Sequence, residues 1–431
     1  MIERLPGFRD FYPEPLPQPG LWSAEARQFI FARWRAAART YGFREYDGPP
    51  LEALELFTAK SGLEIIGQLY NFTDKGQREV SLRPEMTPTL ARMVAAHERS
   101  YKKPLKWFAL PQLFRYERQQ KGRLREHFQF NADILGESDA AADAELIALL
   151  IDSLRSFGLA AEDFVVRLSS REAWRDFFTS HHGQGDAEYA FYQIIDKLER
   201  EGPEASGPKL AALGLSLEQV QGFIQQAKPT AQLRQVLDNL EARGLGEYAT
   251  VDYGVIRGLA YYTGVVFEAF DRQGEFRAIA GGGRYDNLLK LISRGKVDLP
   301  ALGFGMGDVV LLELLKARGR LPKFAVCLDA FCLIEDPGLR GASLKLIQDL
   351  RSAGLAVDYS LTPTKAEKQF KRAQELNAAC ALTLDRSPNG ELLLRIKNFK
   401  TREEKRVSPA EAEAQVRAIA AGGPVSDCKN K

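Results

Sequence analysis

The sequence predicts an α+β fold followed by an α/β one: strands and helices over residues 1–322, interrupted by a helical insertion at 171–250, then a compact α/β domain at 323–422 and a loose tail at 423–431. Three observations predict it. Short runs with period-two alternation, joined by polar turns, recur at Phe114 to Asp133 and Val265 to Ala280. Apolar residues at helical spacing (Phe191, Ile194, Ile195, Leu198), punctuated by Gly202-Pro203 and Gly207-Pro208, fill the insertion. From Phe324 onward strand-like and helix-like segments alternate, the pattern of a largely parallel sheet.

Composition sets the outer bounds. With 59 Lys+Arg against 57 Asp+Glu, 45% hydrophobic and 27% charged residues, the 431-residue chain has the make-up of a globular protein with two or three cores. Its net charge of +2 neither favours nor excludes nucleic acid, but Lys365 to Arg406 carries 11 basic and 6 acidic residues, a local surface suited to phosphate. Cys327, Cys332, Cys380 and Cys428 form no CxxC pair and only four histidines exist, so no structural zinc site is expected. The start, Met-Ile-Glu-Arg-Leu-Pro-Gly, has no apolar signal region and no 18-residue apolar run follows, so a reducing, cytoplasmic setting without a membrane is expected.

Taken in order, Phe29, Phe31, Trp34 and Ala38 mark a helix ended by Tyr41-Gly42-Phe43, and a short extended piece leads into Pro49-Pro50. Ser81-Leu82-Arg83-Pro84-Glu85-Met86-Thr87-Pro88 then places Glu85 on a loop stiffened by Pro84, with Thr87 or Pro88 opening a helix. A carboxylate there can hold an ammonium group; it can equally be a surface glutamate. Leu146, Leu150, Leu154 and Phe157 mark a further helix with one apolar face.

The densest stretch reads as a β-hairpin with a basic tip. Arg115, Arg118, Lys121, Arg123 and Arg125 surround Gly122 between flanks carrying Phe114, Tyr116, Phe128 and Phe130. Arg115, Glu117 and Gln129 can share one face, and a guanidinium fork suits phosphate oxygens. A second dense stretch combines Arg257, Tyr261 and Tyr262 with a strand at Val265 to Phe270, a turn, a strand at Phe276 to Ala280, and Gly281-Gly282-Gly283-Arg284-Tyr285-Asp286. The three glycines either admit a ligand close to the backbone or mark a tight bend. Gly303, Gly305 and Gly307 alternate along a third segment, flattening one face so that a planar base could cover it; without a following Gly-Lys-Ser/Thr this is no P-loop.

In this order these stretches resemble class II aminoacyl-tRNA synthetases, and Arg257 to Tyr262 with Gly282-Gly283-Arg284-Tyr285-Asp286 resembles the histidyl-tRNA synthetase family. The resemblance covers nearly the whole chain. It implies a catalytic core built on an antiparallel sheet flanked by helices, a helical insertion, a C-terminal anticodon-binding domain and a homodimer. It further implies ATP-dependent activation of L-histidine to histidyl-adenylate, with Mg2+ on the nucleotide, then transfer to tRNA(His). Carried over residue by residue, Arg115 and Arg257 would be catalytic, flanking the α-phosphate. Arg115, Glu117, Arg123 and His127 would hold ATP. Glu85, Thr87 and Gln129 would take the backbone end of histidine, and Asp133, Arg257, Tyr261, Tyr262 and Tyr285 the rest of it; no protein side chain is assigned to a metal.

The chain departs from the family pattern in four places. Gly307 is followed by Asp308-Val309-Val310 where Gly-x-Glu-Arg is usual, Ala260 stands for an aspartate, Asp133 for a glutamate, and His127-Phe128 reverses the usual Phe-His order. The missing arginine raises an alternative, a histidine-sensing paralogue that regulates ATP phosphoribosyltransferase without aminoacylation; the full C-terminal domain argues against it.

Overall fold

The computed structural model describes residues 2–61, 63–116, 124–182, 187–256, 262–324 and 327–421. They fall into two compact units, Met1–Arg9 with Ile30–Leu321, and Asp10–Phe29 with Pro322–Lys431. The first is built on a nine-stranded sheet. In chain order its strands are β1 (Arg44–Glu45), β2 (Leu105–Ala109), β3 (Gln112–Phe114), β4 (Glu126–Leu135), β5 (Phe164–Ser170), β6 (Ala249–Val251), β7 (Val265–Asp271), β8 (Ala280–Arg284) and β9 (Ala301–Gly307). Across the sheet they run β6-β5-β7-β8-β9-β4-β2-β1, with β3 paired to the start of β4. Every pair is antiparallel except β5 with β6 and β1 with β2 at the two edges.

One face of the central strands is core. Side chains alternate along a strand, so the even positions Phe130 and Ala132 of β4 meet Phe304 and Met306 of β9 on one side. There α1 (Ala24–Thr40) brings Trp34, which is fully buried and stacks on Phe130 at 5.7 Å, while Phe130 meets Phe304 edge-on at 5.3 Å. Helix α2 (Thr87–His97) starts at the predicted Thr87, with Pro88 in its first turn where the missing N–H costs no helical bond. Helix α3 (Ala140–Arg155) buries Leu146, Leu150 and Leu154 and is capped by Asp139, whose carboxylate accepts from Ala141 N at 2.8 Å.

Helices at Arg171–His182, Glu188–Ala211, Leu217–Gln226 and Ala231–Ala242 follow, with an aromatic cluster in which Trp174 donates to the Tyr253 carbonyl at 3.1 Å. Of the two Gly-Pro pairs, only the first breaks a helix: Gly202 takes φ 79°, ψ 172° and the chain restarts at Pro203, while Pro208 gives up one donor and continues within the helix.

Two sequence expectations change. The strand expected at Phe276 to Ala280 lies instead at Ala280–Arg284, so the glycines are in the sheet rather than in a bend. In the second unit the order Val357–Tyr359, Leu328–Leu333, Ala378–Arg386, Leu392–Asn398, Glu404–Val407 has two parallel and two antiparallel pairings, so that sheet is mixed rather than largely parallel. Its alternation of strand and helix ends at Ala378, and the remaining strands are joined by turns, which permit only antiparallel neighbours. Cys332, Leu346, Ile347, Leu382, Leu394 and Val416 form its core.

Candidate active site

The odd positions of β4 form the site. Gln129, Asn131 and Asp133 stand on the face opposite Trp34, in a strand whose remaining residues from Phe130 on are apolar. Gln129 and Asn131 line a pocket with Glu85, Thr87, Arg115, Tyr262 and Tyr285, floored by Gly281, Gly303 and Gly305. The structure thus brings together seven of the sequence-predicted residues, counting Asp133 through its bond to Tyr285. Glu117, Arg123, Arg257, Ala260 and Tyr261 lie outside the described residues.

The alternating glycines have a purpose the sequence reading missed. Gly303 faces Asp133 across the β9–β4 pair, and a Cβ on it would stand 1.9 Å from Asp133 Oδ1. A Cβ on Gly305 would stand 2.5 Å from the Gln129 amide nitrogen, and one on Gly283 would meet the Tyr262 ring at 2.9 Å. Real Cβ atoms cannot sit there, so the glycines give room to the site's own side chains.

The Glu85 loop is clamped. Arg83, 5% exposed, donates from Nε to the Gln112 carbonyl at 3.0 Å and from Nη1 to the Gly48 carbonyl at 2.6 Å and Asp47 at 3.1 Å. Arg115 Nε donates to the Pro84 carbonyl at 3.1 Å, which orients its guanidinium at the pocket wall. The carboxylate of Glu85 and the cation of Arg115 therefore line one pocket, with Arg115 tied to the carbonyl of the residue just before Glu85.

At the far end Tyr285 donates its hydroxyl to Asp133 Oδ1 at 2.5 Å. Burial pushes the Asp133 carboxyl up to about 7, with the Tyr285 hydrogen bond pulling the other way. Asp133 Oδ2 and Asn131 Oδ1 are buried with no hydrogen-bond partner among the described residues. Tyr46, beyond β1 with its N–H on the Phe108 carbonyl, packs into the apolar cluster of Tyr262 and Tyr285, and its buried hydroxyl likewise has no partner among the described residues. Neither Asn131 nor Tyr46 was singled out from sequence. The available signal was three polar residues at period two, Gln129-Asn131-Asp133, inside a buried strand.

Two predicted features resolve differently. Phe128 packs edge-on against Phe31 at 5.2 Å on the core side, so His127, on the Gln129 face, is the one of the reversed pair turned toward the site; His127 is not part of the pocket lining. Asp308, in the place left by the missing third-motif pattern, faces Arg9: Arg9 Nη1 meets Asp308 Oδ2 at 2.8 Å and Arg9 Nε meets Glu126 Oε1 at 2.6 Å, all buried. Burial raises the Asp308 carboxyl while Arg9 opposes the rise. Arg284 of the Gly-Gly-Arg-Tyr-Asp segment is likewise structural, paired with buried Asp143 at 2.6 Å.

A mainly antiparallel sheet carrying a carboxylate, a guanidinium and a polar ladder in one pocket, with a separate mixed-sheet unit after it, defines a class II aminoacyl-tRNA synthetase. Comparison with known proteins narrows this. The profile described as histidyl-tRNA synthetase matches residues 20–308, and that of an anticodon binding domain matches 332–419. Histidine--tRNA ligase of Opitutus terrae is 44% identical over 96% of this chain and 98% of its own length, and that of Thermoplasma volcanium 39% identical over 86% and 88%. Among solved structures, histidyl-tRNA synthetase from Nostoc sp. PCC 7120 shares the fold at TM-score 0.72 and 23% identity, over 94% of this chain and 97% of that one. The chain belongs to the histidyl-tRNA synthetase family.

Proposed function

We propose that this chain is a histidine–tRNA ligase, acting as a homodimer in the cytoplasm on L-histidine, ATP with Mg2+, and tRNA(His). The observation that carries the reading is the pocket in which Glu85 and Arg115 face the polar ladder of β4, in a chain 44% identical to a ligase over 96% of its length. Glu85, Thr87 and Gln129 hold the amino-acid backbone, and Asp133, Tyr262 and Tyr285 surround the ring. The histidine carboxylate is already ionised, so its attack on the α-phosphate needs charge neutralisation rather than a base. Arg115, oriented by the Pro84 carbonyl, supplies one cation; Arg257 is assigned the other, and Glu117, Arg123 and His127 the rest of the nucleotide. Mg2+ is assigned to the ATP phosphates, as the family implies, and no step is routed through it. No helix among the described residues is long and apolar enough to cross a membrane.

The test is histidine-dependent exchange of labelled pyrophosphate into ATP, followed by transfer to tRNA in the same sample. Exchange with transfer supports the ligase; histidine binding with neither points to the regulatory paralogue. Arg257→Ala should abolish exchange with the unfolding midpoint unchanged. Sedimentation of the full chain at micromolar concentration should give a dimer.

A further inference from the structure

Asn131 is the middle rung of the β4 ladder. Side chains on one face of a strand recur about every 6.6 Å, so Gln129, Asn131 and Asp133 together span about 13 Å, the length of a ring-bearing amino acid of about 7 Å with a hydrogen bond of about 3 Å at each end. Asn131 is 5% exposed and lines the pocket. Its neighbours in the sheet explain why its carbonyl oxygen has no partner. Gly305 of β9 lies directly opposite on one side and Ala109 of β2 on the other, and neither has a side chain able to donate. A buried amide oxygen without a partner costs stability, so natural proteins keep one where something else arrives to pair with it. The partner must come from above the sheet, where the pocket is.

We propose that Asn131 is a specificity-determining residue whose side-chain oxygen accepts the ring N–H of the bound amino acid on the nitrogen nearer its backbone. The inference rests on the histidine reading of the pocket. Glu85, as the carboxylate of the pocket, serves the ammonium group, and Gln129 lies on the Arg115 side of Asn131, so the middle rung falls beside the first ring atoms. Asp133, one rung deeper, with its own unpaired Oδ2, faces the far ring nitrogen. An amino acid with a ring of the same shape but no N–H leaves the Asn131 oxygen desolvated and unpaired, the strongest form of rejection a rigid pocket offers.

The experiment uses the full chain and calorimetric binding of two ligands, L-histidine and L-2-thienylalanine, whose five-membered ring has no N–H. Asn131→Leu, close in volume but without an acceptor, should weaken histidine about tenfold or more and change thienylalanine by less than about twofold. If the unfolding midpoint of that variant falls, Asn131→Ala is read by the same criterion. Histidine affinity unchanged in the variant overturns the proposal. An equal loss for both ligands also overturns it, since that places Asn131 at the shared backbone end. Failure of the parent reading looks different: a wild-type chain that does not bind histidine removes both, and one that binds histidine without pyrophosphate exchange removes only the ligase, leaving Asn131 to be judged on binding.

Discussion

Gly303 and Asp133 are cross-strand partners, and the absence of a side chain on one is the condition for the carboxylate of the other: a Cβ on Gly303 would lie 1.9 Å from Asp133 Oδ1. Gly303→Ala must therefore turn Asp133 away from Tyr285 or push the two strands apart. Displacement of a positioning group by about 1 Å costs on the order of 100-fold. We expect kcat/KM for histidine in pyrophosphate exchange to fall by that order, with KM for ATP much less affected.

The Asp133 carboxyl gives a pH signature. Its folded-state value of about 7 lies above the usual aspartate range, so the folded chain binds a proton more tightly than the unfolded one. Its stabilising contribution is complete below the unfolded value near 4 and is lost as pH rises through about 7. Asp133→Asn has no charge to bury. In urea titrations without ligand the variant should be more stable than wild type at pH 8, by up to about 4 kcal/mol, and the gap should narrow toward pH 5.

Arg284 and Asp143 form a buried pair, 4% and 0% exposed at their side chains. Removing one partner strands the other's charge. Asp143→Ala should cost about 3–5 kcal/mol in chemical denaturation, while the double replacement Asp143→Leu with Arg284→Met should recover most of the loss.

Arg9→Met would leave Asp308 and Glu126 buried together without their cation. A loss of about 3–5 kcal/mol is expected near neutral pH. Because burial already raises the Asp308 carboxyl and its protonation relieves the repulsion, the loss should shrink as pH is lowered toward 5. The unfolding midpoint of variant and wild type at the two pH values checks both statements.

The hairpin, the helix opening at Thr87 and the Glu85 loop were legible because their signals are local: period-two alternation, a proline in a first turn, a stiff dipeptide. The strand at Ala280–Arg284 was displaced in the sequence reading because glycine is a poor strand former by itself. What keeps it in the sheet is the closeness of its neighbours, a Cβ on Gly282 meeting the Gly303 carbonyl at 2.2 Å. The reason for Gly303 and Gly305 was illegible for the same cause, since it depends on which residue of β4 lies opposite, and register is set by long-range pairing. Asn131 escaped notice because a polar residue within a strand matches no motif; only its flanking Gly305 and Ala109, distant in sequence, show that its oxygen is unpaired. Arg9 and Asp308, 299 positions apart, could be joined only in three dimensions.

Strand β4 serves two masters at alternate positions, with Phe130 under Trp34 and Gln129, Asn131 and Asp133 over the pocket. For the descent of the family this sets a rule about which mutations can be inherited. An insertion or deletion of one residue would exchange the two sets, sending the polar residues under Trp34 and the aromatic one into the pocket. Selection can therefore retune ligand preference here by substitution at odd positions, one at a time, while changes of length are confined to the loops beyond the strand's ends.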